Sequence, residues 1–173
     1  MESGVTVDAF AQLGAAKKVA TLHEHICPVE VIRAGARDGE WWVREAAVGS
    51  PKAPVDVITT GARDKNRWVR AAAVGNPGAP VDVIRAGVAD EGFNVRAAAV
   101  GNPKAPTEVI AAGARDRSPY VRKAAASHPR ISEEAAERLS RSKTREIQRL
   151  LAENPAVPER IRVVAAMRAE AFH

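Results

Sequence analysis

His23, His25 and Cys27 stand at alternate positions, so an extended segment would turn two imidazoles and a thiol toward one metal ion. No fourth ligand follows at a recognisable spacing, and the three residues fall in a turn between helical segments. The loop reading is therefore preferred, and no metal is expected. A second candidate chemistry is carried by Arg44, Arg70, Arg96 and Arg122, which recur every 26 residues, as do Asp38, Asp64, Asp90 and Asp116. Each arginine could pack its stem between repeats and pair with an aspartate of that ladder. The other reading is a row of guanidiniums facing a polyanion. Pairing within the stack is the preferred one.

A third candidate is a set of large amphipathic side chains. The four residues before each Val-Arg read Gly39-Glu40-Trp41-Trp42, Lys65-Asn66-Arg67-Trp68, Glu91-Gly92-Phe93-Asn94 and Arg117-Ser118-Pro119-Tyr120. Repeats that otherwise restate one another disagree here, so packing does not dictate these residues. Aromatics together with arginine are what binding surfaces favour. Trp41, Trp42, Arg67, Trp68, Phe93, Arg117 and Tyr120 are accordingly the candidate partner-binding residues. Trp42, Trp68 and Tyr120, each immediately before a valine, could instead pack between repeats, with Trp41 and Phe93 the exposed members. No nucleophile with a base at recognisable spacing, Gly-rich phosphate loop or metalloprotease signature occurs. Neither catalysis nor a cofactor is expected.

The elements that must position these residues follow from the repetition. Val69 to Asn94 and Val95 to Tyr120 share 16 identities in 26 positions, and a fixed period of this length marks a stack of helical units around one continuous core. In a representative unit Asp64 is a candidate N-cap, and Val69, Ala72 and Ala73 form one helical stripe. Gly75 in a left-handed conformation, followed by Pro77, ends a helix running from about Lys65 to Val74. A second, shorter segment starts near Pro80 with Asp82 in its first turn. It ends near Gly87 and is either an α-helix or a 3₁₀ helix. The pattern of Pro followed two residues later by an acid recurs at Pro28 with Glu30, Pro54 with Asp56, and Pro106 with Glu108. These acids read as helix-start devices. In the turn before Pro129, His128 replaces the usual Asn and reads as a local cap. The predicted organisation is an N-terminal capping helix over residues 1–16. A single repeat domain over 17–173 follows, with units 17–42, 43–68, 69–94, 95–120, 121–146 and 147–173.

Composition narrows the class further. Hydrophobic residues make up 46% of the 173 residues but aromatics only 4%, so the core must be built from Ala, Val, Ile and Leu with closely spaced helices. No apolar run is long enough to span a membrane and no secretory leader pattern is present, so a soluble, cytoplasmic protein is expected. Cys27 is the only cysteine, which excludes an intramolecular disulfide. Residues 115–149 hold ten Lys or Arg against five acids, and so carry the whole formal net charge of +5. That segment could draw in an acidic partner or a phosphate backbone, or it could be a solvated face.

The succession Val-Arg-x-Ala-Ala, Asn-Pro-x-x-Pro, Val-Ile and Arg-Asp resembles the leucine-rich repeat variant family over about residues 17–165. Asn76-Pro77-Gly78-Ala79-Pro80 and Asn102-Pro103-Lys104-Ala105-Pro106 carry the resemblance most specifically. It implies a bacterial protein with an all-α, right-handed α-solenoid of about six repeats, each pairing an α-helix with a 3₁₀ helix. A short HEAT-like array is the nearest competing architecture. Gly35, Gly61, Gly87 and Gly113 depart from the family pattern by standing where it carries leucine, and the cysteine-rich iron–sulfur module known beside such repeats is missing from this sequence. The function expected is that of a non-enzymatic scaffold holding a protein or peptide on its aromatic rim or concave face. The alternative is a nucleic-acid-binding solenoid, resembling helical-repeat DNA glycosylases, that uses the basic C-terminal half.

Overall fold

A computed structural model describes residues 5–24 and 27–171. Among them are thirteen α-helices and no strand. After α1 (Val7–Ala11), six longer helices start at the interval of the sequence repeat: α2 (Ala15–His23), α4 (Trp41–Gly49), α6 (Arg67–Gly75), α8 (Phe93–Gly101), α10 (Pro119–Ser127) and α12 (Arg145–Glu153). Six further helices alternate with them and start at the same interval: α3 (Val29–Gly35), α5 (Val55–Gly61), α7 (Val81–Gly87), α9 (Thr107–Gly113), α11 (Glu133–Ser140) and α13 (Glu159–Glu170). The fold is thus all-α and of repeat type. The period survives into the last pair, where sequence identity has faded.

The chain divides between Val83 and Ile84 into two compact units. In the first, α4 and α6 lie side by side and α5 packs against both. In the second, α10 packs between α8 and α12, α9 bridges α8 and α10, and α11 bridges α10 and α12. Each unit is therefore built as an α-solenoid is, a layer of longer helices against a layer of shorter ones. Ala47 and Ala73 in the first unit, and Ala99 and Ala125 in the second, are fully buried. A methyl group at this register lets neighbouring long helices approach closely. Leu151 takes the same register in α12, where α13 is the neighbour, and is equally buried.

Several local expectations are revised. The short segments are α-helical, so the α/3₁₀ alternation implied by the family resemblance is not realised. A seven-residue helix such as α5 is long enough to complete i to i−4 bonds once its ends are supplied. Pro54 and Pro106 occupy the N-cap rather than the first helical position, with φ of −68° and −63°. The ring pre-sets the entry angle while the missing N–H costs nothing there. Glu30, Asp56, Asp82 and Glu108 do lie in first turns. Two of them also pair between repeats, Asp56 with Arg33 at 3.1 Å and Glu108 with Arg85 at 2.9 Å. Asp64 is not the N-cap of α6. Asn66 is, its side chain accepting the Trp68 N–H at 2.8 Å, while Asp64 accepts the Asn66 N–H from outside the helix. Among the described residues of the segment 1–16 are the five-residue α1, whose Phe10 is buried, and the start of α2.

The glycines also act differently from expectation. No described glycine has a positive φ, so α6 ends at Gly75 without the left-handed conformation expected there, while α7 does end at Gly87. What Gly61 provides is the absence of a Cβ: an added methyl would lie 2.6 Å from Cγ1 of Val48. Gly113 stands in the same relation to Val100, at 2.6 Å from Cγ2. At both positions valine from the preceding long helix fills the space that a side chain from the short helix would take.

Candidate functional site

Arg44 lies one residue past the buried Val43, on the flank of α4 that faces the following loop, and is itself buried. Its Nε and Nη2 donate to the two carboxylate oxygens of Asp64 at 2.7 and 3.0 Å, and its Nη1 donates to the carbonyls of Asp38 and Gly39. In the second unit Arg96 repeats this with Asp116 at 2.7 and 3.0 Å and with the carbonyls of Asp90 and Glu91. The bidentate fork satisfies the guanidinium within the stack. Hydrogen bonds from the arginines hold the Asp64 and Asp116 carboxyls below their ordinary range despite burial. Arg44 and Arg96 are thus not a row of charges offered to a polyanion. Arg70 donates through Nη1 to the carbonyls of Asp64 and Lys65, and Asp90 accepts the Gly92 N–H. Asp38 pairs with Lys18 at 2.7 Å. Lys18 stands one full period before Arg44 and is a member of the ladder that Arg-only counting missed.

Arg122 breaks the pattern. Its Nη1 keeps the two carbonyl bonds, to Asp116 and Arg117 at 2.9 and 3.0 Å. The aspartate that should meet its Nε and Nη2 would stand one period after Asp116, and that position is Ser142. Ser142 reproduces the local half of the aspartate's work, its Oγ accepting the Thr144 N–H at 3.2 Å as Asp116 accepts that of Ser118. It carries no charge. Arg122 instead lines a recess of about 540 Å³ together with Arg115, Arg138, Arg141, Lys143 and Asp116. The signal was legible as a missing member of the repeating series.

The turn residues before each Pro form a second ladder. Asn76 is buried and donates from Nδ2 to the carbonyls of Val48 and Ser50, while its Oδ1 accepts the Gly78 N–H. Asn154 does the same toward Ala126, His128 and Ala156. His128 performs this role with a ring. Its Nδ1 accepts the Arg130 N–H at 3.0 Å, which leaves Nε2 to donate to the Asn102 carbonyl at 3.2 Å. Its function extends beyond the local cap expected, to tying one repeat to another. Burial pushes the imidazole below its ordinary value of about 6.5. The Asn102 carbonyl opposes that shift and Arg130 adds to it. In the unfolded chain His128 takes up its proton near the ordinary value, whereas in the folded chain it resists. The stability it contributes is therefore fully present above the ordinary value and is lost as pH falls below it. Thermal midpoints measured between about pH 7.5 and 5.5 should decline in the native protein and decline less in His128→Asn, which restores the amide of the ladder. Parallel profiles would refute this role.

The aromatic candidates occupy the start of the longer helices. The first two residues of each four-residue run lie before the helix, and the last two are its first helical positions. Trp42 is 41% exposed, Trp68 42%, Phe93 42% and Tyr120 60%. Trp41 is half-buried and meets Trp42 edge-on, with ring centroids 5.7 Å apart. Trp42, Trp68 and Tyr120 are thus exposed, although Tyr120 does meet the neighbouring repeat through Phe93; Phe93 is exposed as expected, and Trp41 is the more enclosed. The residue before each buried Val is turned some 100° from it on the helical wheel. The exposed Arg67 lies over the Trp68 ring at 5.3 Å, Phe93 stacks on Tyr120 at 5.2 Å, and Lys123 lies 5.5 Å from the Tyr120 ring. Arg117 is exposed. In the first unit Trp42 also walls a groove of about 400 Å³ with Val19, His23, Glu45, Ala46, Gly49 and Ala72, contributed by α2, α4 and α6.

Of the three residues with metal-like spacing, His25 lies outside the described residues. His23 ends α2 at the edge of the groove, and Cys27 is buried, its thiol pushed up from the ordinary value by burial and by Glu24. No group of metal-binding side chains occurs among the described residues. None of the described helices is long and apolar enough to cross a membrane.

No protein-family model matches the sequence, and no curated protein matches it. Among solved structures the chain is similar to a leucine-rich repeat variant with a novel repetitive protein structural motif. The two are 20% identical, the match covers 97% of this chain and 87% of that one, and the TM-score is 0.38.

Proposed function

We propose that the protein is a non-enzymatic repeat scaffold that binds a peptide segment of a partner protein through its exposed aromatic side chains. The observation that carries this reading is the exposure of Trp42, Trp68, Phe93 and Tyr120 at the starts of four longer helices. Of the six aromatic residues among those described, four are exposed, at positions where helix packing does not require a large side chain. Such rings, flanked by Arg67 and Lys123, supply apolar contact area with little conformational freedom to lose. In the first unit the Trp42 groove, lined also by Val19, Ala46, Gly49 and Ala72, offers small apolar surface to a peptide side chain.

The test is selection of a displayed random-peptide library on the native protein, followed by titration of the enriched peptides against Trp42→Ala/Trp68→Ala/Phe93→Ala/Tyr120→Ala. The quadruple variant should keep its helical circular-dichroism spectrum and bind those peptides at least about tenfold more weakly, because truncated hot-spot aromatics cost on the order of 2 kcal/mol each. Equal affinity for both proteins, or no enrichment on the native one, would reject the assignment.

A further inference from the structure

We propose that the recess beside Arg122 binds a small phosphorylated ligand, whose phosphate group takes the place of the aspartate that the repeat omits at Ser142. In the complete rung of the same unit, Arg96 presents Nε and Nη2 to two oxygens of Asp116, and the fork is filled. Arg122 holds the corresponding posture through the Asp116 and Arg117 carbonyls. No carboxylate lies within ion-pairing distance of it among the described residues. The fork is therefore oriented in advance by the stack and left without its anion. Planar guanidinium geometry suits two oxygens of a phosphate as well as those of a carboxylate.

The surroundings select a multiply charged anion over a single carboxylate. Arg138, Arg141 and Lys143 line the same recess, and no described ion pair neutralises them. Arg115 is held by Glu134, and Asp116 is engaged by Arg96. Four uncompensated cations around one cavity repel one another, and an anion carrying two or more charges relieves that repulsion at every member. The volume of about 540 Å³ falls within the roughly 300–1,000 Å³ of small-molecule sites. The cations converge on one recess. Because Arg96 is sealed by its own aspartate, the guanidinium ladder does not carry the charge back along the preceding repeat. A small ligand with one or two phosphates matches that arrangement.

The experiment titrates pyrophosphate into the full chain at about 0.15 M salt, followed by calorimetry, with Ser142→Asp and Ser142→Asn alongside. Ser142→Asp restores the missing aspartate, fills the Arg122 fork from within and should weaken pyrophosphate binding at least about tenfold while leaving the thermal midpoint unchanged or higher. Ser142→Asn has similar bulk without charge and should bind as the native protein does. Should Ser142→Asp fail to fold, Arg141→Gln/Lys143→Gln, which alters two exposed side chains, should show a comparable loss. The proposal is overturned if the native protein fails to bind pyrophosphate, or if Ser142→Asp binds it as tightly as the native protein does. Tighter binding of citrate than of pyrophosphate would overturn the proposal, since the site would then take carboxylates rather than phosphates. Displacement of pyrophosphate by lower concentrations of a short single-stranded oligonucleotide would show a nucleic-acid site instead.

Discussion

Arg96→Gln should lower the unfolding free energy by about 3 kcal/mol, whereas Arg122→Gln, the same change in the same repeat position, should cost about 1 kcal/mol or less. The side chains of Arg96 and Asp116 are 8% and 10% exposed. Glutamine can take over the two loop-carbonyl bonds, but it leaves the Asp116 carboxylate enclosed with the Ser118 N–H as its hydrogen-bond donor. Arg122 has no carboxylate to abandon. Its remaining work is donation to two carbonyls, which glutamine can perform. The chain demonstrates this one repeat later, where Gln148 donates from Nε2 to the carbonyls of Ser140 and Ser142 at 2.9 and 2.6 Å. Urea midpoints, read with amide exchange across the second compact unit, separate the two variants. Equal losses would show that the ion pair contributes nothing beyond the carbonyl bonds. Because the arginine holds Asp116 below its ordinary range, the extra stability in the native protein should be present above about pH 4 and should fade in stronger acid as that carboxylate is protonated.

Gly61→Ala should destabilise the protein by about 1–3 kcal/mol, although alanine is the better helix former. The new Cβ would stand 2.6 and 2.7 Å from the two methyl carbons of Val48, a β-branched side chain with little freedom to turn away. Val48→Ala alone opens a cavity in a fully packed site and should also cost stability, on the order of 2 kcal/mol. Together the two changes should be less harmful than their sum by at least about 1 kcal/mol, since each creates or fills the space the other needs. Gly101→Ala supplies the contrast. Nothing lies within 4 Å of a Cβ built there, so the same substitution at the end of α8 should be neutral or stabilising by up to about 1 kcal/mol. Denaturant midpoints for the four variants decide the matter. Additive losses at Gly61 and Val48 would remove steric complementarity as the reason for glycine in the short helices.

Much of this architecture was legible before any coordinates because its causes are local and repeated. Val-Arg-x-Ala-Ala followed by Asn-Pro-x-x-Pro encodes a helix, its stop and the entry of the next helix within one stretch of chain. One period on, the same local rules produce the same pair. The period, the helix pairs and the acids of the short helices' first turns all belong to this class. Ser142 belongs to it in part: the missing aspartate is visible in the sequence, but not the four cations that gather where it would have been.

What only the tertiary structure decided depends on distance across the stack. Trp42 and Trp68 sit at a register from which either burial or exposure could follow, and the outcome depends on whether the adjoining layer reaches them. Gly61 is visible in the sequence only as one of four glycines a period apart. Its role emerges only when Val48, half a period earlier, is found against it. His128 looks like a substitute cap until its second nitrogen is placed on a carbonyl one full period back. A repeat sequence states how each unit folds, because hydrogen bonds and backbone angles are settled among near neighbours. Which side chains the next unit covers, and which it leaves for a partner, is settled by packing between residues a full period apart.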